Sequence, residues 1–88
     1  MELKNTVEMM CSGDYKERFR AEYFQLKIRI DGLTDMVYKY RKGALDFKPS
    51  CSFELLHSQL YNMKRYALAL EERAEIEGID LNMQLLQN

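Results

Sequence analysis

Apolar positions recur along this chain in steps of three and four, in two runs on either side of a single proline. The first run is Phe19, Tyr23, Leu26, Ile30, Leu33, Val37 and Tyr40, and the second is Phe53, Leu56, Leu60, Met63, Ala67, Leu70 and Ala74. Polar and charged residues fill the positions between them. Alternating three- and four-residue steps make the a/d seam of helices that pack on one another, so each run predicts an amphipathic helix rather than a strand.

Local signals set the boundaries. Asp14 followed by Glu17 predicts a capping box at the start of the first helix. From there to about Lys42 only Gly32 weakens the pattern, at a cost of about 1 kcal/mol in an exposed helix interior. A helix of that length would reach about 40 Å. Gly43 suits a C-terminal cap and Pro49 forbids continuation, so Gly43 to Ser50 is the connection. Leu45 and Phe47, apolar within it, are expected to fold back and plug the hairpin end. Ser50 or Ser52 caps the second helix, which should run to about Glu77, with Gly78 as C-cap and Ile79 packed back on the last turn. The expected fold is all-α, an antiparallel two-helix hairpin over about 14–42 and 51–77. Residues 1–13 form an N-terminal segment, 14–79 the hairpin domain and 80–88 a tail. Leu3, Val7 and Met10 keep helical spacing in the first segment, which reads either as a short amphipathic helix or as a frayed terminus. Leu81 and Leu85, four apart, would allow a short helix in the tail.

Charge placement favours antiparallel packing. Lys16, Arg18 and Arg20 open the first helix, and Glu71, Glu72, Glu75 and Glu77 close the second, so a hairpin sets the two blocks side by side. Two helices alone leave Phe24, Ile28, Met36, Leu55, Leu68 and Ile76 off the seam and exposed. Self-association into an oligomeric helical bundle is the simplest remedy.

Composition narrows the function classes. A formal net charge of −1 argues against a DNA- or RNA-binding protein. No apolar run approaches the roughly 20 residues needed to span a bilayer. The opening MELKNTVEMM carries charges and lacks an apolar stretch, so it does not read as a secretion signal. Cys11 and Cys51 are too few for a disulfide framework and have no metal-ligand spacing with His57. His57 lies beside the seam without a catalytic partner pattern, and no phosphate-cradling loop, nucleophile elbow or zinc motif is present. Neither an enzyme, a metal site nor a cofactor is expected.

The candidate binding residues flank the seam. Tyr15, Glu22 and Arg29 are seven apart on the first helix, and Gln59, Tyr66 and Arg73 are seven apart on the second. Such rows hold guanidinium groups that clamp phosphate, amides that read a base edge and phenols that stack or donate. The same rows would also serve as ordinary interhelical hydrogen bonds and salt bridges. Tyr38, Lys39, Tyr40, Arg41 and Lys42, with Lys48 beyond, interleave aromatic and basic residues near the loop. They fit either a stacking-and-charge site or a solvated helix end whose cations suit the dipole.

A family resemblance goes further. Tyr15, Lys16, Arg18, Glu22, Tyr23 and Leu26, then Leu55, Leu56, Gln59, Leu60, Met63, Tyr66, Leu70, Arg73, Glu77, Gly78 and Ile79, follow a pattern over about residues 14–81. That pattern resembles a small helical-hairpin family of bacteriophages and prophages related to a protein of a crAss-like phage. In size and layout the chain is also similar to phage hairpin proteins that assemble into oligomers and sequester the nucleotide signals of CBASS and Thoeris immunity. It lacks their Gly-Tyr-Arg and Met-Asn-x-Ile-Lys signatures, so that second likeness is architectural. The resemblance implies a phage-encoded protein in the cytoplasm of an infected bacterial host, and with the missing catalytic groups and the flanking rows it leads to the expectation of an anti-defence protein that binds a nucleotide signal without cleaving it. Tyr15, Arg18, Arg29, Gln59, Tyr66 and Arg73 would line pockets between subunits. The alternative is a protein-interaction module or structural hairpin that docks a host or phage protein.

Overall fold

The computed structural model describes residues 2–82, and every regular element within them is helical. A 3-10 turn over Leu3–Thr6 leads into the one-turn helix α1 (Val7–Met10). Two long helices follow, α2 (Tyr15–Lys42) and α3 (Phe53–Glu77). They pack antiparallel, and the molecule measures 43 × 24 × 20 Å. Leu85, expected to extend the tail, lies outside the described residues.

The caps follow the sequence with one change. The Asp14 carboxylate accepts the Lys16 amide at 2.9 Å. The reciprocal half of the expected box is made by Ser12 instead of Glu17, because the Asp14 amide donates to Ser12 Oγ at 3.0 Å. Ser52 caps α3 by accepting the Leu55 amide at 3.1 Å, so that helix begins at Phe53. Both long helices end on left-handed glycines, Gly43 (φ 70°) and Gly78 (φ 72°), where a side chain would be strained. Beyond them the amides of Ala44 and Ile79 turn back to Lys39 and Ala74 carbonyls, each at 2.8 Å, and Ile79 is buried as expected.

The seam forms the core. Phe19, Tyr23, Leu26, Ile30 and Val37 of α2 are buried together with Leu56, Leu60, Ala67, Leu70 and Ala74 of α3. Ala67 and Ala74 are the small members of the α3 stripe and allow the helix axes to approach. At the loop end half of the expected plug forms, since Leu45 is half-buried. Phe47 is 55% exposed, and Tyr40 meets Phe53 edge-to-face at 5.6 Å instead. The Arg41 guanidinium covers that Phe53 ring at 5.6 Å and His57 stacks on it at 5.7 Å. These partners lie on regular helix, so they order the end at lower entropic cost than a loop aromatic would.

The N-terminal segment is ordered and lies against α2, but not by the face that spacing suggested. Leu3, Val7 and Met10 are exposed, whereas Thr6 is fully buried and Met9 packs against the core. The 3-10 start, with three residues per turn, shifts the inward face away from a 3.6-residue period. Thr6 Oγ1 donates to the Leu3 carbonyl at 2.7 Å and accepts from Gln25 Nε2 at 2.9 Å, so its burial leaves no polar atom unsatisfied. Gln25 Nε2 also meets Met10 Sδ. The face of α2 beneath carries Ala21 and Phe24, both fully buried. Phe24 therefore needs no second subunit to cover it. Leu55, Leu68 and Ile76, all on α3, remain exposed.

The charge blocks also meet differently than expected. Among the described residues the ion pairs are Lys4–Glu2, Lys39–Asp35 and Arg73–Glu77, each local in sequence. Phenols make the contacts between the long helices. Tyr23 donates to Glu71 at 2.6 Å and Tyr15 donates to Glu77 at 2.8 Å. A short aromatic side chain reaches the partner helix with two rotatable bonds, where lysine or arginine would have to order four or more. No helix among the described residues is long and apolar enough to cross a membrane.

Candidate functional site

Antiparallel packing brings the two flanking rows to one edge of the hairpin. Their terminal members touch: Arg73 Nη2 donates to the Tyr15 hydroxyl at 2.8 Å. Seven residues are nearly two helical turns, so the row onward from Tyr15 and the row backward from Arg73 run along the same edge. The hydrogen bond to Glu77 raises the Arg73 pKa, and the Glu22 carboxylate on the same edge adds a smaller push in the same direction. Beyond them Arg29, Gln59 and Tyr66 are all exposed.

Arg73 is the most heavily engaged of the six predicted residues. Its Nε donates to Glu77 Oε2 at 3.1 Å, and its planar face rests 5.0 Å above the Phe19 ring. Tyr15 lies edge-on to the same ring at 6.2 Å. Its hydroxyl accepts from Arg73 while donating to Glu77 Oε1, which closes a three-membered network. Hydrogen bonding to the Glu77 carboxylate raises the Tyr15 pKa, and the Tyr15 hydroxyl, followed by Arg73, lowers that of Glu77. Nearer the middle of the hairpin, burial and then the Glu71 carboxylate push the Tyr23 phenol well above its ordinary range.

These shifts set a pH window. Glu77 sits below its ordinary 4.5, so its contribution is complete above that value and disappears as pH falls through the lowered one. Tyr15 sits above its ordinary 10.0, so its contribution is complete below 10.0 and disappears as pH climbs through the raised one. Urea unfolding of wild type and Tyr15→Phe should therefore differ most between these limits and converge at both extremes. A difference that stays constant across pH would mean that the network stabilises nothing through charge.

Arg18, the sixth predicted residue, is used elsewhere. Its Nη1 donates to the Ser12 carbonyl at 2.8 Å, tying α2 to the turn after α1, which is a structural task. Gln59 Nε2 lies 3.8 Å from Met63 Sδ, a weak contact that leaves its amide available. Arg29 makes no hydrogen bond or ion pair among the described residues. The basic cluster near the loop is largely occupied: Lys39 pairs with Asp35 at 3.0 Å, Arg41 covers Phe53, and Lys42 covers Tyr38 at 5.7 Å. Among the described residues no group of three or more His, Cys, Asp or Glu is placed to hold a metal, and Cys11 and Cys51 are exposed and unpaired.

Two features escaped the sequence reading. Glu77, read as part of an acidic block, is the hinge of the Tyr15–Arg73 network. An open groove of about 550 Å³, lined by Tyr61, Lys64, Arg65, Leu68, Ala69 and Glu72, runs along the outer face of α3. There Arg65 Nη1 donates to the Tyr61 hydroxyl at 3.3 Å and its guanidinium lies 5.8 Å from the ring. The Tyr61-to-Arg65 spacing of four residues was the available signal. A family model described as Sequestin matches residues 13–76, from the start of α2 almost to the end of α3. None of the curated proteins and none of the solved structures matches the chain.

Proposed function

The chain belongs to the Sequestin family, and on that premise we propose that it is a phage-encoded anti-defence protein that sequesters a nucleotide immune signal without cleaving it. A sequestering role agrees with the family's name. The observation that carries the reading is the exposed trio Arg29, Gln59 and Tyr66 on the edge that Tyr15 and Arg73 define, with the Arg29 guanidinium uncommitted. A planar fork, an amide and a phenol are the groups needed to grip phosphate, read a base edge and stack on a base. Arg29 takes the first phosphate. Arg73 joins by exchanging the solvent-exposed Glu77 carboxylate for a ligand oxygen, while Tyr15 keeps it aimed. The acting form is a homo-oligomer with pockets between subunits, in the cytoplasm of an infected bacterium. Binding needs no cofactor.

Thermal melts with cyclic di- and trinucleotides and ADP-ribose derivatives test this. A ligand at about 100-fold over its Kd stabilises by ~2.7 kcal/mol, and the ligand recovered after denaturation should be chemically unchanged. If no member of the panel shifts the melt, the sequestration reading falls. The exposed apolar residues of α3 then favour the second reading, an interaction module that docks a helix of a host or phage protein.

A further inference from the structure

The outer surface of α3 carries a second seam. Leu55, Gln59, Asn62, Tyr66, Ala69, Arg73 and Ile76 follow steps of four and three, the same period as the core stripe but turned off it, with Arg73 on the side that also reaches Tyr15 and Phe19 of α2. Every one of them is exposed, Leu55 at 59% and Ile76 at 86%. A stripe of this period on a helix that already has a packed face is a surface for another helix.

We propose that a second copy of this chain lays its own α3 antiparallel on this stripe, with Tyr66 over the partner's Ala69 and Arg65 beside the partner's Glu72. Self-complementarity selects the occupant. In that register the two-fold axis falls between the central layers, so the large-on-small contact and the Arg–Glu contact each occur twice. Arg65 and Glu72 are seven apart on one flank of the stripe, the positions that meet across an antiparallel pair. Both line the open groove of α3 beside Ala69, so neither is shielded from an incoming helix. The wider charge pattern agrees. The first half of α3 has Lys64 and Arg65 against Glu54, and the second half has Glu71, Glu72, Glu75 and Glu77 against Arg73. Antiparallel pairing lays the acidic half on the basic one. Parallel pairing would stack the acidic halves and set Arg73 on the partner's Arg73. Gln59 and Asn62 interrupt the apolar seam, and polar seam residues fix register at some cost in stability.

Analytical ultracentrifugation of the unliganded full chain tests this with Arg65→Glu, Glu72→Arg and the double exchange. Wild type should sediment as a dimer or a multiple of it. Each single reversal should weaken association by about tenfold or more, since it turns two attractive contacts into repulsive ones. The double exchange should recover affinity to near wild type. Both residues are exposed, so circular dichroism should show all variants equally helical. A wild-type chain that stays monomeric at millimolar concentration overturns the proposal, as does a double exchange no better than the singles. No nucleotide enters the measurement, so its failure is separate from that of the sequestration reading.

Discussion

Phe24→Ala should destabilise the fold by about 3–5 kcal/mol, the range for emptying a buried phenylalanine site. The ring is fully buried, between α2 and the N-terminal segment, and meets Tyr23 edge-to-face at 5.8 Å. Its loss leaves a cavity whose roof is a single helical turn, and that roof has little else to hold it. Gln25 bonds its Thr6 and meets its Met10, Arg18 holds the turn after it through the Ser12 carbonyl, and Met9 supplies its contact with the core. The N-terminal segment should therefore detach in the variant while the hairpin loses one wall. Urea denaturation gives the magnitude, and amide hydrogen exchange should show residues 3–10 losing protection first. A loss under 1 kcal/mol would mean that the segment contributes little to burying Phe24.

Arg29→Ala has its largest consequence in binding. If the edge grips a phosphate, deleting the uncommitted guanidinium removes a charge-assisted pair and should weaken nucleotide affinity by about 2–5 kcal/mol, some 30-fold or more. Stability should hardly change, because Arg29 gives up no hydrogen bond or ion pair among the described residues. Arg73→Ala provides the contrast. It releases Tyr15, Glu77 and the face of Phe19 together, so both binding and stability should fall. Titration calorimetry and melts on the two variants separate the roles. Full affinity in Arg29→Ala would remove it from the site, and full affinity in Arg73→Ala would move the site off this edge altogether.

The hairpin was readable because its signals are local and redundant. A period of three and four names the seam, Gly43 and Gly78 name the helix ends, and a serine names the start of α3. The N-terminal segment was legible only as helical spacing. Its inward residue is a threonine, whose burial depends on a glutamine 19 positions away. No periodic pattern announces such a pairing. Ala21 was the overlooked clue, a small residue one turn before Phe24 on the face opposite the seam, where another element could approach closely. Tyr15 and Arg73 meet at the seam's edge, but spacing could not say which of the six candidate residues would be occupied. Arg18 turned to a backbone carbonyl and Arg73 to a carboxylate because acceptors lay within reach. Arg29 had none.

The tyrosine bridges from α2 to Glu71 and Glu77 have a consequence for how this molecule responds to salt. A neutral donor on an anionic acceptor has no net monopole pair to be screened, so the grip of one long helix on the other should survive ionic strengths that dissolve surface ion pairs. Capture of a phosphate by an exposed guanidinium has no such protection. Cohesion and capture are thereby assigned to chemistries of different range. On the proposed reading, raising the salt should release an anion from the edge while leaving the scaffold that presents it intact.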